Sequence, residues 1–159
     1  MTATTGIGWD SHRLVAGRPL ILGGVAIEHE LGLAGHSDAD ALTHAIIDAL
    51  LGAAAMGDIG QHFPDTDERY RDADSMLLLR TVVATLAERG LAVAHVDATV
   101  VMERPKLAPY RDAIRAALAD GLGVLPGHVN VKASTGEGMG FVGRGEGVAA
   151  LAVATLRSG

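Results

Sequence analysis

Two hydrophobic periods alternate along this chain, and that alternation restricts it to folds that lay helices against a sheet. Leu42, Ile46, Ala49 and Leu50 recur at helical spacing up to about residue 56. A second helical stretch runs from about Asp74 to Arg89, where Gly90 stops it, and a third from Pro109 to Asp120. Alternating or β-branched segments at 5–12, 93–102 and 129–133 read as strands, and Gly23 and Gly24 centre a hairpin at 19–27. Residues 148–156 fit a buried helix or a strand equally, and residues 57–71, rich in Gly, Pro and Asp, read as a loop. The expected fold class is α+β, with residues 1–159 forming one domain. Its architecture is a sandwich with helices on one face of a mostly mixed β-sheet.

The filling of that core is unusual, since 48% of residues are hydrophobic but only 3% are aromatic. Small aliphatic side chains let helix and sheet approach closely. So large an apolar share in so short a chain predicts a further apolar surface buried against copies of itself. No apolar run reaches the roughly 18 uncharged residues of a membrane span. The longest, 41–56, carries His44 and Asp48. The 13 basic residues are dispersed and the net charge is −6, against a nucleic-acid surface but not against a small anion. With no cysteine, thiolate metal sites are excluded. The first residues, MTATT, lack the pattern of a signal peptide, so a cytoplasmic location is expected.

Asp10 and His12 stand two apart in a predicted strand, so both side chains leave one face and can chelate a divalent ion. His44 lies on the first long helix with Asp40 and Asp48 one turn to either side, opposite the apolar stripe. Asp48 is therefore placed to orient the His44 ring, as metal-ligating histidines usually require. Asp10, His12 and His44 would leave a coordination position open for substrate, the catalytic pattern. Such a set accepts zinc, manganese or cobalt. The competing reading is a hydrogen-bonded surface pair, which is common for Asp-x-His.

Two segments could meet phosphate. Ser37 is a possible helix cap, which would turn free N–H groups outward near His36; the plainer alternative is a cap beside a solvated histidine. Residues 133–147 (ASTGEGMGFVGRGEG) carry six glycines, whose amides can form an anion nest. Ser134 and Thr135 add hydroxyls, Arg144 a charge, and Glu137 a ligand for a second cation. Neither a Walker A loop nor a dinucleotide fingerprint is present. A flexible loop with turn glycines is the alternative.

Taken together, residues 8–13 (GWDSHR), 22–24 (LGG), 35–40 (GHSDAD), 54–60 (AAMGDIG), 62–67 (HFPDTD), 104–106 (RPK), 130–135 (NVKAST) and 140–147 (GFVGRGEG) resemble the 2-C-methyl-D-erythritol 2,4-cyclodiphosphate synthases of the non-mevalonate isoprenoid pathway. The motifs occur in family order over nearly the whole chain. The resemblance implies a homotrimer with active sites between neighbouring subunits. It implies a cytidine diphosphate substrate, 4-diphosphocytidyl-2-C-methyl-D-erythritol 2-phosphate, whose 2-phosphate attacks its own β-phosphate. Asp10, His12 and His44 would hold the zinc-like ion, and His36 and Thr135 would stabilise the transition state. Glu137 would hold magnesium or manganese at the diphosphate. Ser37, Asp58, Ile59, Gly60, Phe63 and Asp65 would contact the methylerythritol phosphate. Met102, Lys106 and Leu107, with Ala133, Ser134, Phe141 and Arg144, would serve the nucleotide and its phosphates. Gly136 departs from the pattern, in which a hydroxyl residue is expected.

The implied chemistry needs no strong base, because a phosphate nucleophile is already ionised. The obstacle is repulsion between two phosphates, several kcal/mol at about 4 Å in a partly dry site. Cations and aligned donors offset it. The rival readings are a metal-dependent phosphohydrolase, which would release linear phosphates, and a trimeric nucleotide-binding module, which would not need His12 or His44.

Overall fold

The computed structural model describes residues 1–159. Its strands are β1 (Thr2–Val15), β2 (Leu20–Leu22), β3 (Val25–Ile27), β4 (Gly32–Leu33), β5 (Leu91–Val101), β6 (Val129–Ser134) and β7 (Gly147–Ser158). Its helices are α1 (Ala41–Ala53), α2 (Ile59–His62), α3 (Ser75–Glu88), α4 (Arg111–Leu122) and α5 (Gly140–Gly143). Five strands form one sheet in the order β4-β1-β7-β5-β6, and β2 and β3 make the expected separate hairpin. Only β5 and β6 run parallel, so the sheet is mixed.

The ambiguous segment 148–156 is a strand. β7 lies between β1 and β5, with Val148, Ala150, Ala152, Ala154 and Leu156 buried beneath the helices. Both faces are apolar because the other face is bare. There Trp9 pairs with Leu151 and Ile7 with Val153, and these four side chains are 52%, 36%, 70% and 42% exposed. A contiguous apolar patch of this kind marks an interaction surface.

Local chemistry explains the element ends. Asp74 caps α3 through the Met76 N–H, and Gly123 closes α4 in the left-handed region at φ 71°. Two expectations need correction. Residues 57–71 are not wholly loop, since Asp58 caps the short α2 and Asp67 a single 3₁₀ turn. The glycine-rich loop likewise contains the turn α5.

The largest fully buried side chains are all Leu or Ile. Where β1 meets α1 even these are absent. A Cβ on Gly8 would stand 1.8 Å from the Ala45 carbonyl oxygen, and one on Gly6 would stand 2.1 Å from that of Ala49. Glycine facing alanine thus brings the helix backbone almost onto the strand. Gly6, Gly8, Asp10 and His12 share one face of β1, so the approach that packs the helix also sets His44 over Asp10. Gly8→Ala is expected to cost at least about 1–3 kcal/mol through overpacking and to lower metal retention as α1 is pushed away. Wild-type melting and metal content in that variant would contradict this origin of the site.

Candidate active site

Asp10 and His12 project from β1 and His44 from α1, and one potential ligand atom from each lies within 4.8 Å of the others. The Asp10 Oδ2 is 2.8 Å from His12 Nε2 and 3.1 Å from His44 Nδ1. The outer nitrogens identify the tautomers. His12 Nδ1 lies 2.8 Å from the Ala34 carbonyl, which can only accept, so this nitrogen carries the hydrogen. His44 Nε2 lies 2.7 Å from Ser75 Oγ, whose own hydroxyl donates to the Asp38 carboxylate. Ser75 must therefore accept from His44 Nε2–H. In the neutral rings, His12 Nε2 and His44 Nδ1 therefore keep their lone pairs and face the Asp10 carboxylate oxygen.

Three mutually facing acceptors repel unless a cation stands among them. His12 Nε2 is in fact buried without an aligned hydrogen bond. Burial favours the neutral carboxyl of Asp10, yet the two imidazoles beside it, which can carry positive charge, hold its pKa below the ordinary value. Burial likewise opposes protonation of His12, and Asp10 outweighs it, raising the pKa. The cluster attracts positive charge, and its donor set suits a divalent metal.

The role expected for Asp48 is not what the structure contains. Its Oδ1 accepts from the Ile59 N–H at 2.8 Å, tying α2 to α1, while both ring nitrogens of His44 are engaged with Asp10 and Ser75. The start of α1 also differs. Asp40, completely buried, is the true cap, accepting from the N–H groups of Gly23, Gly24 and Thr43 and from the Thr43 hydroxyl. Burial pushes its carboxyl up against those four donors. Asp40 therefore does not share a polar face with His44. The free amides expected at Ser37 are likewise not those of a helix terminus. Ser37 Oγ instead accepts from Ala39 N–H and lies 3.3 Å from His44 Nε2.

A cleft of about 390 Å³ opens over the cluster. It is lined by Asp10, His12, His44, His36, Ser37, Ile59, Gly60, Phe63 and Asp65, all anticipated, together with Tyr70 and Leu78, which were not. His36 Nε2 is anchored on the Asp67 carbonyl at 2.8 Å, and Asp58 lies at the edge as the α2 cap. A second cleft of about 250 Å³ gathers Met102, Lys106, Leu107, Ala133, Ser134 and Thr135. Phe141 lies beside His12 and Glu146 in a third depression, and Arg144 pairs with Glu146 at 3.1 Å while bordering a fourth.

The turn after β6 has its own latch. Glu137 takes the left-handed region at φ 54° with its N–H on Thr135 Oγ1 at 3.2 Å, and Glu103 accepts from the Gly136 N–H. A Cβ on Gly136 would lie 2.9 Å from both the Met139 oxygen and the Gly143 nitrogen, so glycine suits this tight turn. Sequence reasoning missed Ser75, Asp38 and Glu103. The pair Asp74-Ser75 signals a helix start, but nothing in its spacing points to a histidine 31 residues earlier.

Fold and cluster together define an α+β protein with an Asp/His/His cluster, a donor set that suits a divalent cation, beside a cleft lined by polar groups. Residues 3–157 match the YgbB family. A 2-C-methyl-D-erythritol 2,4-cyclodiphosphate synthase of Laribacter hongkongensis is 58% identical over 99% of this chain and 98% of its own. One from Salinibacter ruber is 60% identical over 96% and 98%. The solved structure of a synthase of that name in a CDP-bound form superposes with TM-score 0.88 at 38% identity, covering 96% of this chain and 99% of that one. The chain belongs to the YgbB family of 2-C-methyl-D-erythritol 2,4-cyclodiphosphate synthases.

Proposed function

We propose that the protein converts 4-diphosphocytidyl-2-C-methyl-D-erythritol 2-phosphate into 2-C-methyl-D-erythritol 2,4-cyclodiphosphate and CMP. An oxygen of the 2-phosphate bonds to the β-phosphorus, and the bond from that phosphorus to the bridging oxygen breaks, so that CMP leaves carrying the bridge. No proton need move. The observation that carries the reading is the trio of facing acceptors, Asp10 Oδ2, His12 Nε2 and His44 Nδ1, at the floor of a cleft lined by polar groups. A divalent ion there, with zinc the best match and manganese or cobalt alternatives, supplies charge neutralisation and polarisation of the β-phosphate.

The chain's own residues supply the rest of the reading. His36 and Ser37 contact phosphate from the rim, and Asp58, Ile59, Gly60, Phe63 and Asp65 form the methylerythritol end. Met102, Lys106, Leu107 and Ala133 seat the cytidine, with Ser134, Phe141 and Arg144 around its phosphates. Thr135 donates to the charge that develops at the β-phosphate.

Within one chain Thr135 is too far away for this. Asp10, Ala150, Val100 and Ala133 stand in one row across four strands, three strand spacings or about 14 Å. Supply of Thr135 and Lys106 by a neighbouring copy resolves the distance, and the bare patch around Trp9 offers the surface for it. A closed trimer is the assembly we assign.

Glu137 belongs in this scheme as the holder of magnesium or manganese at the diphosphate, since a bare carboxylate would repel it. Glu137→Gln is expected to leave zinc content unchanged and to lower turnover roughly tenfold or more, with part recovered at high magnesium. Unchanged rate and magnesium dependence would make it a solvated loop acid. The reaction itself is tested by incubating protein, metal and substrate and following phosphorus resonances. Cyclic diphosphate with one equivalent of CMP is expected; linear phosphates would establish a hydrolase instead.

A further inference from the structure

We infer that Asp38 and Ser75 are positioning residues which hold His44 in the one tautomer able to bind the cation. This rests on the metal reading above and adds to it a hydrogen-bond chain that reaches the site from behind.

Ser75 is fully buried at the start of α3. Its N–H donates to Asp38 Oδ2 at 2.9 Å and its hydroxyl to Asp38 Oδ1, so the carboxylate grips the residue twice. With its single hydrogen committed, Ser75 Oγ has only lone pairs to offer His44 Nε2, 2.7 Å away. The ring must place a hydrogen there, so in neutral His44 the lone pair is on Nδ1, 3.1 Å from Asp10 Oδ2. The segment carrying Asp38 is itself bonded to the one preceding α3, Asp38 N–H to the Ala73 carbonyl at 3.1 Å and Asp72 N–H to that of His36 at 2.8 Å. The chain is thus anchored at both ends.

Without Ser75 Oγ, the remaining neighbour of Nε2 is Ser37 Oγ at 3.3 Å, which already accepts from Ala39 N–H. The ring is then free to move its hydrogen to Nδ1 and donate to Asp10 Oδ2, closing two ligand atoms upon each other. Loss of such outer partners typically costs 10–100-fold in metal affinity. The Ala34 carbonyl performs the equivalent task for His12, but as backbone it cannot be removed by substitution.

The test has two parts. In the full-length wild-type protein labelled with ¹⁵N-histidine, long-range correlations of His44 should show hydrogen on Nε2, both with zinc bound and after its removal. Hydrogen on Nδ1 in the metal-free protein would overturn the inference without any variant. Zinc titration against a competing chelator should then give affinities 10–100-fold weaker for Ser75→Ala and for Asp38→Ala. The double variant should be no weaker than Ser75→Ala alone, because both changes break one chain. Ser75→Thr, which keeps the hydroxyl, should recover most of the loss. Wild-type affinity in a folded Ser75→Ala protein, or additive losses in the double variant, would sink the relay. Failure of the wild type to bind zinc would overturn the metal reading itself.

Discussion

His44→Ala should leave a folded, assembled protein with turnover reduced about 10³-fold or more and with little retained metal. The size follows from what a bound cation contributes to a phosphoryl transition state, several kcal/mol at a factor of ten for each 1.4 kcal/mol. Folding should survive because His44 is only partly buried, makes no contribution to the apolar core and sits at the end of the first turn of α1, where alanine is a good helix former. Circular dichroism and gel filtration would establish the fold and assembly, and metal analysis the loss. Near-normal turnover with full metal content would exclude His44 as a ligand.

Trp9→Asp should have an effect as large by a different route. Trp9 faces away from the helices, 52% exposed, beside its partner Leu151 and diagonal to Val153. A carboxylate there costs the single chain little, since the side chain lies outside the core, but it would be stranded in an apolar interface between copies. Sedimentation should show monomers with native secondary structure. Turnover should fall nearly to background, because each monomer keeps Asp10, His12 and His44 but has its own Thr135 about three strand spacings away. A fully active monomer would contradict the shared site. A variant that remains trimeric would show that the patch is not the interface.

How much of this was legible in the sequence depends on the range of the forces concerned. The pair Asp10 and His12 could be read because a strand's two-residue period puts both on one face. The helix bearing His44 could be read because its apolar spacing is local. The ring's orientation could not. Asp48 is the nearest acid along the helix, but its carboxylate turns to cap the approach of Ile59, and the work falls to Ser75, brought in by packing of a helix 31 residues on. The start of α1 was misplaced for a related reason. Ser37 precedes the apolar run plausibly, yet only the distant amides of Gly23 and Gly24 make Asp40 the better cap. β7 stayed ambiguous because its outward residues, Leu151 and Val153, are apolar too, which erases the alternation that marks a strand.

The same outward face decides the central claim, that a metal cluster from one copy and Thr135 from its neighbour make one site. His44→Ala and Thr135→Ala chains, each inactive alone, should be co-expressed with different tags and the mixed assemblies isolated. In a closed trimer of either mixed composition, one of the three sites pairs an intact cluster with an intact Thr135, roughly one site in three. The mixed protein should form cyclic diphosphate and CMP at about a third of the wild-type rate per site. Activity no greater than that of the two separate variants would place both groups in the same chain and contradict that claim.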